Sequence, residues 1–146
     1  MARVLIRGGT VLDGSGADGR PADVLVTGGI IAAIEPGLDP GGCRVVDAAG
    51  LAVAPGFIDL HSHSDRTLFR VPRGNSKVMQ GVTTEVVGNC GVGLFPVDPG
   101  RRRDLELYME NLEGGLPLGG IVWEDLDGLI RAMERLELGL NVAFLV

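Results

Sequence analysis

The sequence predicts an α/β protein, with a β-rich stretch over residues 1–54 and parallel βα units over residues 55–146. Two observations carry this prediction. Up to Ala54, short apolar runs are separated by glycine turns; after Pro55-Gly56, strand-like runs alternate with helix-like ones, the order that builds parallel sheets. Hydrophobic residues make up 45% of the 146-residue chain and charged residues 22%, an ordinary globular composition.

In the β-rich stretch, Val4-Leu5-Ile6 and Thr10-Val11-Leu12 are separated by glycines, and a polar loop runs from Asp13 to Gly19. Asp23 to Thr27 and Ile30 to Ile34 flank Gly28-Gly29. That pattern predicts a hairpin, because a type I′ turn needs positive φ at both central positions. Val45 to Asp47 and Leu51 to Ala54 add two short strands around Gly50. The 24 glycines fall at turn positions and do not form a low-complexity run.

From Pro55 onward, Phe57 to His63 and Thr83 to Cys90 read as strands with polar C-terminal ends. Between them, Asn75 to Gln80 reads as a short helix closed by Gly81. Arg101 to Leu112 reads as a helix with Leu105, Tyr108, Met109 and Leu112 on its apolar side, followed by a loop from Glu113 to Gly120. Trp123 to Leu138 carries an apolar stripe at helical spacing (Leu126, Leu129, Ile130, Met133, Leu136), with Gly139 suited to a C′ position. Asn141 to Val146 is an apolar run of the kind that forms a strand buried on both faces.

Net charge is −6 and the sequence pI is about 4.8, which argues against a nucleic-acid partner. The one basic run, Arg101-Arg102-Arg103, is followed by Asp104, Glu106 and Glu110 and reads as a solvated helix start. Two cysteines are too few for a disulfide scaffold. No signal peptide is visible, and apolar runs such as Leu51 to Ala54 fall far short of the ~20 residues that span a bilayer. The expectation is a cytoplasmic protein with no membrane partner.

His61 and His63 are the only histidines. Two apart in a strand, they share a face, and neutral imidazoles side by side can both donate a nitrogen to one cation. The plainer alternative is a polar pair at a strand end. Asp59 is either an orienting group or a polar cap, and Asp65 either lines the mouth of a site or caps a surface. Cys43 reads as structural. A lone cysteine such as Cys90 is most often a small buried hydrophobe, yet its thiolate can bind zinc and bridge two metal positions.

The string Ala54-Pro55-Gly56-Phe57-Ile58-Asp59-Leu60-His61-Ser62-His63 resembles the first barrel strand of the amidohydrolase superfamily. Gly8 to Gly14 resembles the beginning of that superfamily's small β-sandwich. Gln80 to Gly91, ending in Gly88-Asn89-Cys90-Gly91, is similar to the N-acyl-D-amino-acid deacylases, as are His61 to Asp65 and Ser76-Lys77 through Gln80-Gly81. The resemblance implies that residues 1–54 are the N-terminal part of a β-sandwich. It also implies that residues 55–146 are the first βα units of a (β/α)₈ TIM-type barrel, incomplete here because a full one takes ~250 residues. Under the same resemblance His61, His63 and Cys90 are metal ligands, the cofactor is one or two zinc ions, and the substrate is a small-molecule N-acyl-D-amino acid. No catalytic residue is assigned within the chain. A general-base aspartate and two further histidine ligands are expected downstream of Val146, so the chain alone is expected to be inactive. The rival readings are a cyclic amidase of dihydroorotase or hydantoinase type and a non-catalytic metal-binding fragment.

Overall fold

The computed structural model describes residues 2–112 and 119–146. Residues 113–118 of the expected loop lie outside them. The chain divides into two compact units, Met1–Pro55 and Gly56–Val146, so Pro55 closes the first unit.

The first unit is a sheet of β1 (Arg3–Val11), β2 (Arg20–Thr27), β3 (Ile30–Glu35) and β4 (Arg44–Asp47) in the order β3-β2-β1-β4, with β5 (Ala52–Val53) also pairing with β1. The β2–β3 hairpin turns at Gly28 and Gly29, whose φ angles are 60° and 83°, as the glycine pair predicts. The two runs expected on either side of Gly8-Gly9 are instead one strand with a register irregularity between Ile6 and Gly9. A bulge leaves backbone groups without ladder partners, and Asp23 on β2 meets that need. Its buried carboxylate accepts the Gly8 N–H at 2.8 Å and the Leu38 N–H at 2.9 Å. Val11, Ala22 and Val24 form the small core, with Ile6, Val26, Ile34 and Val53 packed around them.

The second unit contains a three-stranded parallel sheet, β6 (Phe57–Asp59), β7 (Val82–Val87) and β8 (Asn141–Phe144), in that order. Its helices are α1 (Ser64–Thr67), α2 (Asn75–Val78), α3 (Arg102–Glu110) and α4 (Leu126–Met133). Leu68, Phe69, Leu94, Val97, Met109, Ile121, Trp123, Leu129 and Met133 form its core. Trp123 anchors this core by stacking on Phe69 at a centroid distance of 5.2 Å and donating its indole N–H to the Leu94 carbonyl at 2.7 Å.

Three expectations change here. The helix expected over Trp123 to Leu138 begins only at Leu126, because Asp125 is its N-cap, accepting the Gly128 N–H at 2.7 Å, and Trp123 is committed to the core. Gly139 is not a helix cap: its N–H bonds the Pro72 carbonyl at 3.1 Å, and a Cβ there would lie 2.2 Å from the Arg73 carbonyl oxygen. The Asn141 strand is not buried on both faces. Val142 and Phe144 pack on the core while Asn141 and Ala143 are exposed. The arginine run behaves as a solvated helix start, with exposed Arg101 paired to Asp104 and Arg103 to Glu106 and Glu110.

The Gly8 N–H holds the Asp23 carboxyl below its usual range, with the Leu38 N–H adding to the effect and burial opposing it. A carboxylate lowered in this way contributes stability above its unfolded pKa of about 3.9 and loses it as pH falls through the folded value. Asp23→Ala should therefore lower the melting temperature at about pH 7, and the gap to the native chain should narrow toward about pH 2. A gap that is constant across that range would contradict this role for Asp23.

Candidate metal centre

β6 and β7 run parallel with Asp59 opposite Glu85, so both strands deliver the residues that follow them to the same edge of the sheet. Beyond Asp59 the strand stops. The Ser62 N–H still reaches the Val86 carbonyl at 3.1 Å, and His63 occupies the N-cap position of α1. Beyond Val87 the chain turns through Gly88, at φ 83°, into a 3₁₀ turn over Asn89–Gly91. Within it Cys90 has φ 59°, a left-handed conformation that L side chains rarely adopt. Asn89 ties the two strand ends together, its side-chain amide donating to the Ser62 carbonyl at 3.2 Å and the Val86 carbonyl at 2.9 Å.

These turns bring the three sequence-predicted residues together. One ligand atom each from His61, His63 and Cys90 lies within 4.8 Å of the other two. His61 Nε2 is 3.2 Å from Cys90 Sγ, and the two imidazoles meet edge to face at 5.6 Å. His63 Nδ1 is buried without a hydrogen-bond partner. Cys43 and Cys90 are both free thiols, and Cys43 belongs to the first unit. The histidines line a cavity of about 420 Å³ with Ser62, Ser64, Arg66, Thr67 and Lys77.

Tetrahedral zinc with Zn–N of about 2.0–2.1 Å and Zn–S of about 2.3 Å places its donors roughly 3.3–3.6 Å apart. The separation between His61 and Cys90 is close to this span, and two neutral imidazoles with a thiolate make a donor set suited to that ion. The three side chains could hold one divalent cation through three ligands, leaving further positions for other groups.

Beneath this cluster lies a polar network that the sequence reading did not find. Glu85 projects from β7 with 0% exposure. Its carboxylate accepts Ser62 Oγ at 3.2 Å and also Ser64 Oγ, and Lys77 Nζ approaches at 3.3 Å. The same ammonium pairs with Asp59, whose other oxygen accepts the His61 backbone N–H at 3.1 Å. The Lys77 bond holds the Asp59 carboxyl below its ordinary range, and Asp59 in turn raises Lys77. Asp59 thus caps the end of its strand through the His61 N–H and ties that end to Lys77. Lys77 is the only lysine, and Glu85 shares a strand face with Val87, but neither fact in the sequence shows that the two residues meet. Asp65 is buried in α1 rather than at the surface; burial pushes its carboxyl up, with neighbouring Arg66 opposing the shift.

The Amidohydrolase family model matches residues 44–111. An N-acyl-D-aspartate deacylase and a D-aminoacylase, both from Alcaligenes xylosoxydans xylosoxydans, are 47% and 50% identical over 97 and 94 residues. These matches cover 66% and 64% of this chain, and 20% and 19% of the relatives. Among solved structures, the N-acyl-D-glutamate deacylase of Bordetella bronchiseptica, complexed with zinc and a phosphonate inhibitor, superposes with a TM-score of 0.77 at 37% identity. That match covers 98% of this chain and 29% of that one. The chain therefore spans about a fifth of the length of these two curated relatives.

The left-handed backbone at Cys90 costs a non-glycine residue about 1 kcal/mol or more. Accordingly, Cys90→Gly should unfold later than Cys90→Ala by about 1 kcal/mol in denaturant melts. Equal stabilities would contradict the conformation of this turn.

Proposed function

The chain belongs to the amidohydrolase family, and on that premise we propose that His61, His63 and Cys90 form part of a zinc centre. In our reading that centre hydrolyses the amide bond of N-acyl-D-amino acids. The observation that carries the reading is the convergence of two imidazoles and a thiol, from the ends of two adjacent parallel strands, to within 4.8 Å. Zinc, when bound, supplies Lewis acidity toward an amide carbonyl and toward water.

We read the second unit as the first βα units of a (β/α)₈ barrel and the first unit as part of a small β-sandwich. Sites at the C-terminal ends of parallel strands are the rule in such barrels, and the segments carrying His61, His63 and Cys90 follow β6 and β7 at that end. No histidine follows His63 in the sequence. The remaining ligands and the carboxylate that moves the proton are assigned to residues outside this chain, as is substrate recognition. One or two zinc ions suit a thiolate ligand, whose lone pairs allow bridging. The similarity to N-acyl-D-amino-acid deacylases over about two thirds of this chain favours the linear-amide reading over a cyclic amidase. No helix among the described residues is long and apolar enough to cross a membrane.

Titration of the metal-free chain with zinc should show stoichiometric uptake, and Cys90→Ala should weaken it by at least about tenfold, since even outer partners of ligands are worth that much. Unchanged affinity would reduce Cys90 to a packing residue and remove the proposal's main support. The purified 146-residue chain should show no turnover of an N-acetyl-D-amino acid; steady hydrolysis would contradict the placing of the proton-transfer group outside it.

A further inference from the structure

The Glu85 network has an arrangement that ion pairing alone does not explain. Ser62 and Ser64, the two residues flanking His63, both bond to one carboxylate, that of Glu85 on the neighbouring strand. Ser62 has a single hydroxyl proton, and the carboxylate is the strongest acceptor in its reach. The lone pairs of Ser62 Oγ remain free to accept the Ser64 N–H at 3.3 Å. The two sides of His63 are therefore anchored to one carboxylate, Ser62 on Oε1 and Ser64 on Oε2. Lys77 fixes the carboxylate from behind at 3.3 Å and links it to Asp59, which holds the His61 N–H at 3.1 Å.

We propose that Glu85, held by Lys77, is a positioning residue that clamps the Ser62-His63-Ser64 segment and so sets where the His63 imidazole stands relative to His61 and Cys90. The proposal rests on the reading of those three residues as metal ligands. Among the described residues, the polar partners of Glu85 are Ser62, Ser64 and Lys77, so it acts on His63 through the two serine hydroxyls and the backbone they carry. This explains why a fully buried charge stands in the middle of β7. Burying a pair of opposite charges is weak as a source of stability, whereas a carboxylate with two hydroxyls and an ammonium around it is a rigid, directional anchor.

The test uses the full chain, with Co²⁺ as the probe. Four proteins are compared: the native chain, Glu85→Gln, Ser64→Ala, and Leu129→Ala, which loses core packing in α4 away from the site. Glu85→Gln keeps the shape of the side chain but removes its charge and one acceptor oxygen, and Ser64→Ala removes one hydroxyl, so it decides the matter if Glu85→Gln does not fold. Each should weaken Co²⁺ binding by about tenfold and change the thiolate-to-cobalt absorption band. Each should also speed amide hydrogen exchange across Ser62 to Ser64 in the metal-free chain. Leu129→Ala should lower the melting temperature without moving the cobalt affinity. Native-like affinity and exchange in the folded clamp variants would overturn the proposal. A native chain that takes up no cobalt overturns the metal reading instead, and the exchange measurement then decides separately whether the clamp exists.

Discussion

Parallel pairing of β6 with β7, in the register that sets Asp59 opposite Glu85, is the constraint on which the candidate centre depends. Parallel strands end on the same side, so the segment after Asp59 and the segment after Val87 leave the sheet together. A slip of one residue would turn Glu85 to the opposite face, away from Lys77 and both serines. Asn89 bonds the Ser62 and Val86 carbonyls at once, closing the gap where the ladder has ended. The cluster of two imidazoles and a thiol is thus a consequence of strand order and register, finished by two turns.

The second unit divides its tasks between opposite kinds of interaction. Stability comes from the apolar cluster around Trp123 and Leu129, since burial of apolar surface is the main favourable term in folding. Placement comes from the polar network. Lys77 stands between Asp59 and Glu85, so one ammonium is shared by two carboxylates. Asp59 governs the backbone of His61, and Glu85 the hydroxyls flanking His63. The strained backbone at Cys90 fits the same pattern, because unfavourable local conformations tend to gather at functional sites.

Much of this was legible in the sequence, for reasons that can be named. Gly28-Gly29 between two β-type runs marks a hairpin because few other residues accept positive φ twice in succession. The alternation of strands and helices after Pro55 marks parallel pairing, and a resemblance to a known family singled out His61, His63 and Cys90. The reason offered for the histidine pair differs from what is found, however. Period two would have placed them on one strand face, but the strand ends at Asp59 and the turn into α1 brings the rings together. Glu85 and Lys77 escaped notice because they lie on different elements, and sequence periodicity reports neighbours within an element only. The overlong helix over Trp123 to Leu138 had a similar cause: helical spacing does not reveal that Asp125 caps the helix or that Trp123 belongs to the core.

The central claim is that two imidazoles and one thiolate of this chain bind a single cation together. X-ray absorption at the zinc edge, on the chain loaded with one equivalent of zinc, tests it most directly. The account predicts one sulfur scatterer at about 2.3 Å and two imidazole nitrogens at about 2.0–2.1 Å, with the remaining positions filled by lighter oxygen donors. A first shell without sulfur, or with a single imidazole, would contradict it.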